Sequence, residues 1–336
     1  MRNYLLPKDG RFYKANLHCH TIFSDGRKTP AEIKELYARL GYSVVAITDH
    51  DLLIPHDELT DSNFLALHGF EIEVNEKGRV WEQKKCCHLC MIALEGDNIT
   101  QPCWHRSKYG IGHAPEHRGE VKFDENEPDF VRTYSHEGVN EMIRRGREKG
   151  FFVTYNHPAW SMERYPDYIG YEGMNAMEIM NSMALTEGYE DYNPRVYDDF
   201  LSAGRLIYCI GADDNHNAEP DSSCKSESGR AFTMIKSGSL DYRSITAALE
   251  AGSFYASQGP LRKELWTEIG EIFIRTDSAE SIHIVRSTRA NDRAFREPGK
   301  RLTQARFQLR ENDLWFRLVV TDKYGRHACT NAYPVP

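Results

Sequence analysis

The sequence predicts an α/β barrel carrying a small antiparallel β module at its C-terminal end. Short apolar runs, each closed by polar residues, recur along the first 260 positions with helical stretches between them, the pattern of strands that deliver an active site to one rim of a barrel. After residue 252 apolar and polar side chains alternate singly, the period of strands with one solvated face. The length, 336 residues, accommodates roughly two domains at about 150 residues each, and the expected division is 1–260 for the barrel and 261–336 for the module.

The first helix is signalled most fully. In TPAEIKELYARLG (29–41) Thr29 suits the N-cap, Pro30 the first turn, and Glu32 completes a capping box. Ile33, Leu36, Tyr37 and Leu40 form one apolar stripe, and Gly41 supplies the stop. Residues 43–47 (SVVAI) are a continuous β-branched run, read as a strand buried on both faces. The same strand-then-polar pattern appears at 64–67 before Gly69-Phe-Glu71, at 151–154 before Asn156-His157-Pro158, and at 206–210 before Asp213-Asp214-Asn-His216. Helices are expected over 136–149, near 188–203 and over 242–251, closed by Gly252. In the module, strands are expected at 270–276, 281–287, 305–310 and 314–321. Residues 95–135 have little periodicity and exceed an ordinary loop, which makes them a candidate lid.

Composition excludes several functions. Lys plus Arg number 42 against 50 Asp plus Glu, a formal charge of -8, and phosphate-backbone binding needs clustered cations; no extended nucleic-acid interface is expected. No run of about 18 apolar residues occurs, so no membrane association is expected, and the opening residues have too short an apolar stretch for a signal peptide. The expectation is a cytoplasmic protein with its eight cysteines as free thiols. Oligomeric state is not legible.

Histidine says more. Of 14, only His283 and His327 lie beyond residue 216, so imidazole chemistry belongs to the first two-thirds. His18 and His20, at i and i+2 on a strand, project from one face and can reach one cation. Ser24-Asp25-Gly26 presents a carboxylate in a tight turn, and Thr48-Asp49-His50-Asp51 closes the next apolar run. Asn156-His157-Pro158 and Asp214-Asn215-His216 repeat the placement at later strand ends.

These motifs in this order, HxHxxxxSDG, TDHD, NHP and DxH, resemble those of the PHP (polymerase and histidinol phosphatase) family over roughly residues 14–260. The resemblance implies a distorted (β/α)7 TIM-like barrel with two or three divalent cations at its C-terminal rim. Carried over position by position, it implies His18, His20, Glu71 and Asp214 at a first cation, with Glu71 bridging to a second that His88 and His157 complete. Asp25, His50 and His216 would hold a third and are the candidate catalytic residues, aiding departure of the leaving oxygen. Glu73 competes with Glu71 for the bridging position and shares its strand face; Glu71, directly after the apolar run, is preferred. Mixed imidazole and carboxylate donors suit zinc, manganese or iron better than magnesium.

The implied activity is hydrolysis of a small phosphorylated metabolite, a nucleotide, sugar phosphate or small diester, by a hydroxide bridging two cations. The competing reading is an amide or carboxylic ester hydrolase built on the same cluster. Arg106 and Arg118, in the segment QPCWHRSKYGIGHAPEHR (101–118), and Arg230 are candidate phosphate clamps; a solvated polar loop is the competing reading of that segment. Trp160 is a candidate to stack on a base or sugar, with packing as the alternative. Cys87 and Cys90 with Cys103 and His105 give only half of a structural zinc pattern and are read as buried thiols.

Overall fold

The computed structural model describes residues 2–335. Strand β1 (Asn3–Tyr4) precedes β2 (Arg11–Asn16), helix α1 (Pro30–Arg39) and β3 (Val44–Ile47). Then come β4 (Leu65–Asn75), β5 (Cys86–Ala93), α2 (His136–Glu148), β6 (Phe151–Tyr155), α3 (Tyr165–Tyr168) and β7 (Ala176–Asn181). Helices α4 (Ser182–Thr186) and α5 (Pro194–Ser202) lead to β8 (Tyr208–Ala212), β9 (Phe232–Ser237), α6 (Tyr242–Glu250) and β10 (Phe254–Ser257). The rest is all strand: β11 (Arg262–Glu268), β12 (Glu271–Ala279), β13 (Ser281–Arg286), β14 (Asp292–Phe295), β15 (Leu302–Gln308), β16 (Trp315–Thr321), β17 (His327–Thr330) and β18 (Tyr333–Pro334).

One large mixed sheet runs through the molecule in the order β14-β13-β16-β17-β10-β9-β2-β3-β4-β5-β6-β7-β8. Pairs β2/β3, β3/β4, β6/β7 and β7/β8 are parallel, whereas β5 is antiparallel to both β4 and β6. This departs from a regular succession of seven βα units. The link between β4 and β5 falls short of the dozen or more residues that a crossover helix requires, so the chain folds back as a hairpin. Beyond β8 the chain meets the first strand again: Cys19 and Asn215 form an isolated parallel bridge, and Asp214 N donates to His18 O at 3.0 Å. That bridge brings the two ends of the polar-tipped strand set together.

Local chemistry explains the elements. Thr29 accepts from Glu32 N while the Glu32 carboxylate accepts from Thr29 N at 2.8 Å, the reciprocal cap expected for α1. Its stripe of Ile33, Leu36 and Tyr37 is buried. Helix α2 buries Val139, Met142, Ile143 and Gly146. A Cβ at Gly146 would stand 2.8 Å from Met91 Sδ, so glycine is what lets α2 lie this close to β5. Strand β3 is buried at all four positions, as a strand covered on both faces must be.

The C-terminal strands are not strung out behind the rest. β17 pairs with β10 and continues the large sheet, while β1 joins β11, β12 and β15 in a second, four-stranded sheet. Val45, Ile47 and Phe64 share one apolar core with Leu265, Ile274, Phe316 and Leu318. Burying each such side chain contributes about 1.5–3 kcal/mol. No helix among the described residues is long and apolar enough to cross a membrane.

Candidate metal centre

Of the nine residues named for cation binding, all but Asp25, which lies in the turn between β2 and α1, sit just past or within a strand of this set. His18 and His20 follow β2, His50 follows β3, Glu71 lies within β4, His88 within β5, His157 after β6, and Asp214 and His216 after β8. Two of these positions are held in left-handed backbone, His157 at φ 26° and Asp214 at φ 53°. Such strain in non-glycine residues persists where surrounding contacts fix it, and it clusters at functional sites.

The structure brings all nine together, with Glu71 at the centre. One Glu71 oxygen lies 3.2 Å from His18 Nε2, 3.2 Å from His88 Nδ1 and 3.3 Å from His157 Nε2. The other lies 3.3 Å from His50 Nδ1 and 3.5 Å from His20 Nε2. Asp25 is 3.4 Å from His216 Nε2, 3.5 Å from His20 Nδ1 and 3.6 Å from His50 Nε2. Glu73, the rival carboxylate, touches His88 Nε2 at 3.2 Å and stands at the edge. Five overlapping donor groups result: His18, His20 and Asp214; His50, Glu71 and His88; His20, Asp25, His50 and His216; His18, Glu71 and Cys90; and His18, His157 and Glu178.

These residues fit divalent cations. His18 Nε2, His20 Nε2 and Asp214 Oδ1 form a triangle with edges of 3.0, 3.1 and 3.2 Å. Its centroid is about 1.8 Å from each donor, just inside the roughly 2.0–2.2 Å of zinc bonds to imidazole and carboxylate. His50 Nδ1, both ring nitrogens of His88 and Asp214 Oδ1 are buried without a hydrogen-bond partner, although carboxylates or imidazoles stand within 3.3 Å of each. Donor atoms that crowd one another without bonding are arranged around a shared point, and unpaired buried polar atoms are otherwise costly.

Charge points the same way. Burial would raise the Glu71 carboxyl, but His18, His88 and His50 outweigh it and hold it well below the usual range. Asp214 is likewise held well below its ordinary value against burial, chiefly by His18 and His20. Burial would also raise Glu73, yet the His88 imidazole 3.2 Å away brings it to about 2. His216 opposes its own burial through Asp25 and rises to about 10. The pocket demands positive charge beside its carboxylates, which bound cations would supply.

Two further acids, given no role from the sequence, support the cluster. Glu178, on β7 and fully buried, sits 2.7 Å from His18 Nδ1 and accepts from His157 N at 3.0 Å. It thereby leaves His18 Nε2 free to face the cluster, the usual support for a ligating histidine. Asp49 accepts from Thr21 N, Thr21 Oγ1 and Ser24 Oγ at 2.6–2.7 Å and fastens the turn that carries Asp25. Strand β7 is rich in methionine (AMEIMN), so β-branched periodicity does not reveal it. A lone glutamate inside that apolar run was the available signal. The doublet Asp213-Asp214 divides its work: Asp213 accepts from Ser182, Gly229 N and Ala231 N and braces the loop, while Asp214 faces the cluster.

Above the cluster opens a cavity of about 450 Å³. Trp160 lines it, its ring 5.1 Å from that of His157. The three candidate arginines do not. Arg106 is paired with Asp129 at 2.8 Å and with the carbonyls of Glu125 and Glu127; Arg118 donates to Tyr109 O and Arg230 to Cys224 O. Arg106 is thus engaged by a carboxylate and two carbonyls, Arg118 and Arg230 by one carbonyl each, and none of the three lines the cavity where a phosphate clamp was expected. Segment 95–135 nevertheless packs on the site: His113 N donates to Ser24 O at 2.7 Å, Gly110 N to Asp51 at 3.0 Å, and Ile111 lines the cavity. Cys86, Cys87, Cys90 and Cys103 are free and buried.

No family model matches the chain, and no curated protein matches it. Solved structures do. A two-domain protein from Bacteroides vulgatus containing a predicted PHP-like metal-dependent phosphoesterase is 15% identical, with a TM-score of 0.47, over 100% of this chain and 98% of that one. The chain is similar to PHP-like proteins. A provisionally assigned metal-dependent phosphoesterase from Bifidobacterium adolescentis is 17% identical over 66% of this chain and 93% of that one, with a TM-score of 0.40. An amidohydrolase from Chromobacterium violaceum is 15% identical over 60% of this chain and 87% of that one, with a TM-score of 0.36.

Proposed function

We propose that the chain is a metal-dependent hydrolase of phosphate esters of small metabolites, with residues 1–260, a distorted barrel, as the catalytic unit and 261–336 as its β companion. The observation that carries this reading is the meeting of several donor groups through shared residues, so that more than one cation would lie beside a single cavity. His18, His20, Glu71 and Asp214 would hold one, Glu71 together with His88 and His157 another, and Asp25, His50 and His216 a third. Adjacent divalent cations supply Lewis acidity, an activated water and charge neutralisation suited to in-line displacement at phosphorus. Zinc, manganese and iron match the donor set.

The protein's own part is orientation and exclusion of water. Glu178 fixes His18 and the backbone of His157, Ser161 Oγ lies 3.2 Å from His157 Nδ1, and His216 Nδ1 meets the Asp214 carbonyl at 3.0 Å. Each contact aims the opposite ring nitrogen at the cluster. Glu227 accepts from His216 N and Asn217 N at 2.8 Å and holds that loop in place. Ile111, Trp160 and Met183 give the cavity apolar walls, which strengthens electrostatic interactions inside it.

The test is elemental analysis of the purified protein followed by a phosphate-release screen over nucleotides, sugar phosphates and small diesters. Metal-dependent release is expected. Asp214→Asn and His157→Ala should each lose bound metal and turnover while the fold persists by circular dichroism. Full activity in either variant would refute the assignment, and hydrolysis of amide or carboxylic ester substrates in place of phosphate esters would overturn the reaction class.

A further inference from the structure

The cavity has a wall that the phosphate chemistry does not use. Trp160 stands directly over the cluster, 5.1 Å from the His157 ring and 5.4 Å from that of His88, with Nε1 donating to Glu187 at 2.6 Å. Trp81, on the single turn Trp81–Gln83 between β4 and β5, meets Trp160 with ring centroids 6.3 Å apart, edge to face. Its indole is 57% exposed, beside the 61% exposed Val80. Among the described residues its N–H has no hydrogen-bond partner, so the ring is not locked in place by one. A tryptophan this exposed at the mouth of the cavity, with Lys84 Nζ 6.0 Å from its ring centroid, offers a stacking surface.

Charge around the mouth narrows what can lie there. Glu73, Glu187, Glu219 and Glu227 line the cavity, with Lys225 as the one lysine or arginine among its lining residues. The outer cavity therefore disfavours a second anionic group, and its carboxylates accept hydrogen bonds from donors. We infer that Trp81 and Trp160 form a stacking wall selecting phosphate monoesters whose alcohol half carries a flat, uncharged ring with hydrogen-bond donors, Trp81 being the specificity-determining residue. This rests on the phosphoester reading above. In the reaction the bond between phosphorus and the alcohol oxygen breaks and one forms from the water oxygen. A proton of that water ends on the released alcohol, and no group is oxidised or reduced.

The experiment compares a purine nucleoside 5′-monophosphate with ribose 5-phosphate, the same alkyl ester without the ring, on the metal-loaded full chain. The nucleotide should be preferred by roughly tenfold or more in kcat/KM, in keeping with stacking on an aromatic side chain. Trp81→Ala should bring that preference toward unity through KM, with bound metal and Tm unchanged, and Trp81→Phe should restore most of it. Ribose 5-phosphate turned over as well as the nucleotide, or a preference untouched in Trp81→Ala, would overturn the inference and leave the phosphoester reading standing. Phosphate release from neither compound by metal-loaded protein would count against both.

Discussion

Two regions of the molecule bury charge, and they do it in opposite ways. Between β13 and β16, Arg286 and Asp313 are paired at 2.5 Å with side chains 1% and 0% exposed, and Thr288 Oγ1 donates to the second Asp313 oxygen. Arg317 makes two bonds to Asp198 at 2.8 and 2.9 Å. In these pairs cation meets anion directly, with Arg286 Nε as the one donor left without a partner. At the ends of β2 to β8, carboxylates and imidazoles instead crowd around common points with atoms left unbonded. Closed pairing marks architecture, whereas open crowding marks a receptor for an ion.

The contrast is sharpest in what truncation does. Asp313→Ala strands the Arg286 guanidinium in the core and should cost about 3–5 kcal/mol in urea unfolding, with metal content of the folded protein unchanged; a loss below about 1 kcal/mol would show the pair to be solvated. Glu163 is a third kind of buried charge, a carboxylate with Tyr134, Tyr155 and Tyr171 donating to it at 2.9, 2.6 and 2.5 Å and no cation. Burial outweighs those donors and raises it from 4.5 to about 7. The folded state then holds a proton that the unfolded state releases, so stability falls as pH climbs from about 4.5 to about 7. At most on the order of 3 kcal/mol is lost, from 1.36 kcal/mol per pKa unit. Glu163→Gln should flatten that part of the Tm–pH profile, and a parallel profile in the variant would show Glu163 to be ionised throughout.

Glu178→Gln probes the outer support of the cluster. A glutamine amide would donate to His18 Nδ1 and place the ring proton on Nε2, the atom facing the donor triangle. Metal affinity by competition with a chelator should fall about 10–100-fold, and an unchanged affinity would remove Glu178 from its orienting role. The smallest effect has the opposite sign. Arg262 is buried with all three guanidinium nitrogens unbonded, its charge resting 4.0 Å over the Tyr255 ring. Replacing it with methionine should stabilise the protein by about 1 kcal/mol or more; destabilisation would mean that the cation–π contact outweighs burial.

The inner donors were legible because a strand end is a sequence feature. His50, His157 and Asp214 each close an apolar run, and His18-x-His20 shares a strand face whatever the rest of the chain does. Helix α1 was equally legible, since Thr29, Pro30, Glu32 and Gly41 act locally. Pairing across long distances was not. Arg106 reads as a free cation until Asp129 and two carbonyls are folded onto it, and β7 hides its strand character behind methionines. Nor does a sequence show that β5 returns antiparallel, because the turn that reverses it lies in polar residues without a strong signature. Trp81 belongs to the same class: its importance comes from facing Trp160, 79 positions away, and from being left exposed there.

The bridge that joins the strand set carries a consequence for biogenesis. Asn16 and Asn215, which hydrogen-bond beside the donors, lie 199 positions apart, and at about 5–20 residues per second a ribosome needs roughly 10–40 s to span that interval. Until then the nascent polypeptide presents seven of its nine clustered imidazole and acidic positions, up to His157, with neither Asp214 nor His216 to complete them. On the proposed reading, ions would load only once that interval has been made, and cells starved of trace elements should accumulate an apoprotein that regains metal without new synthesis.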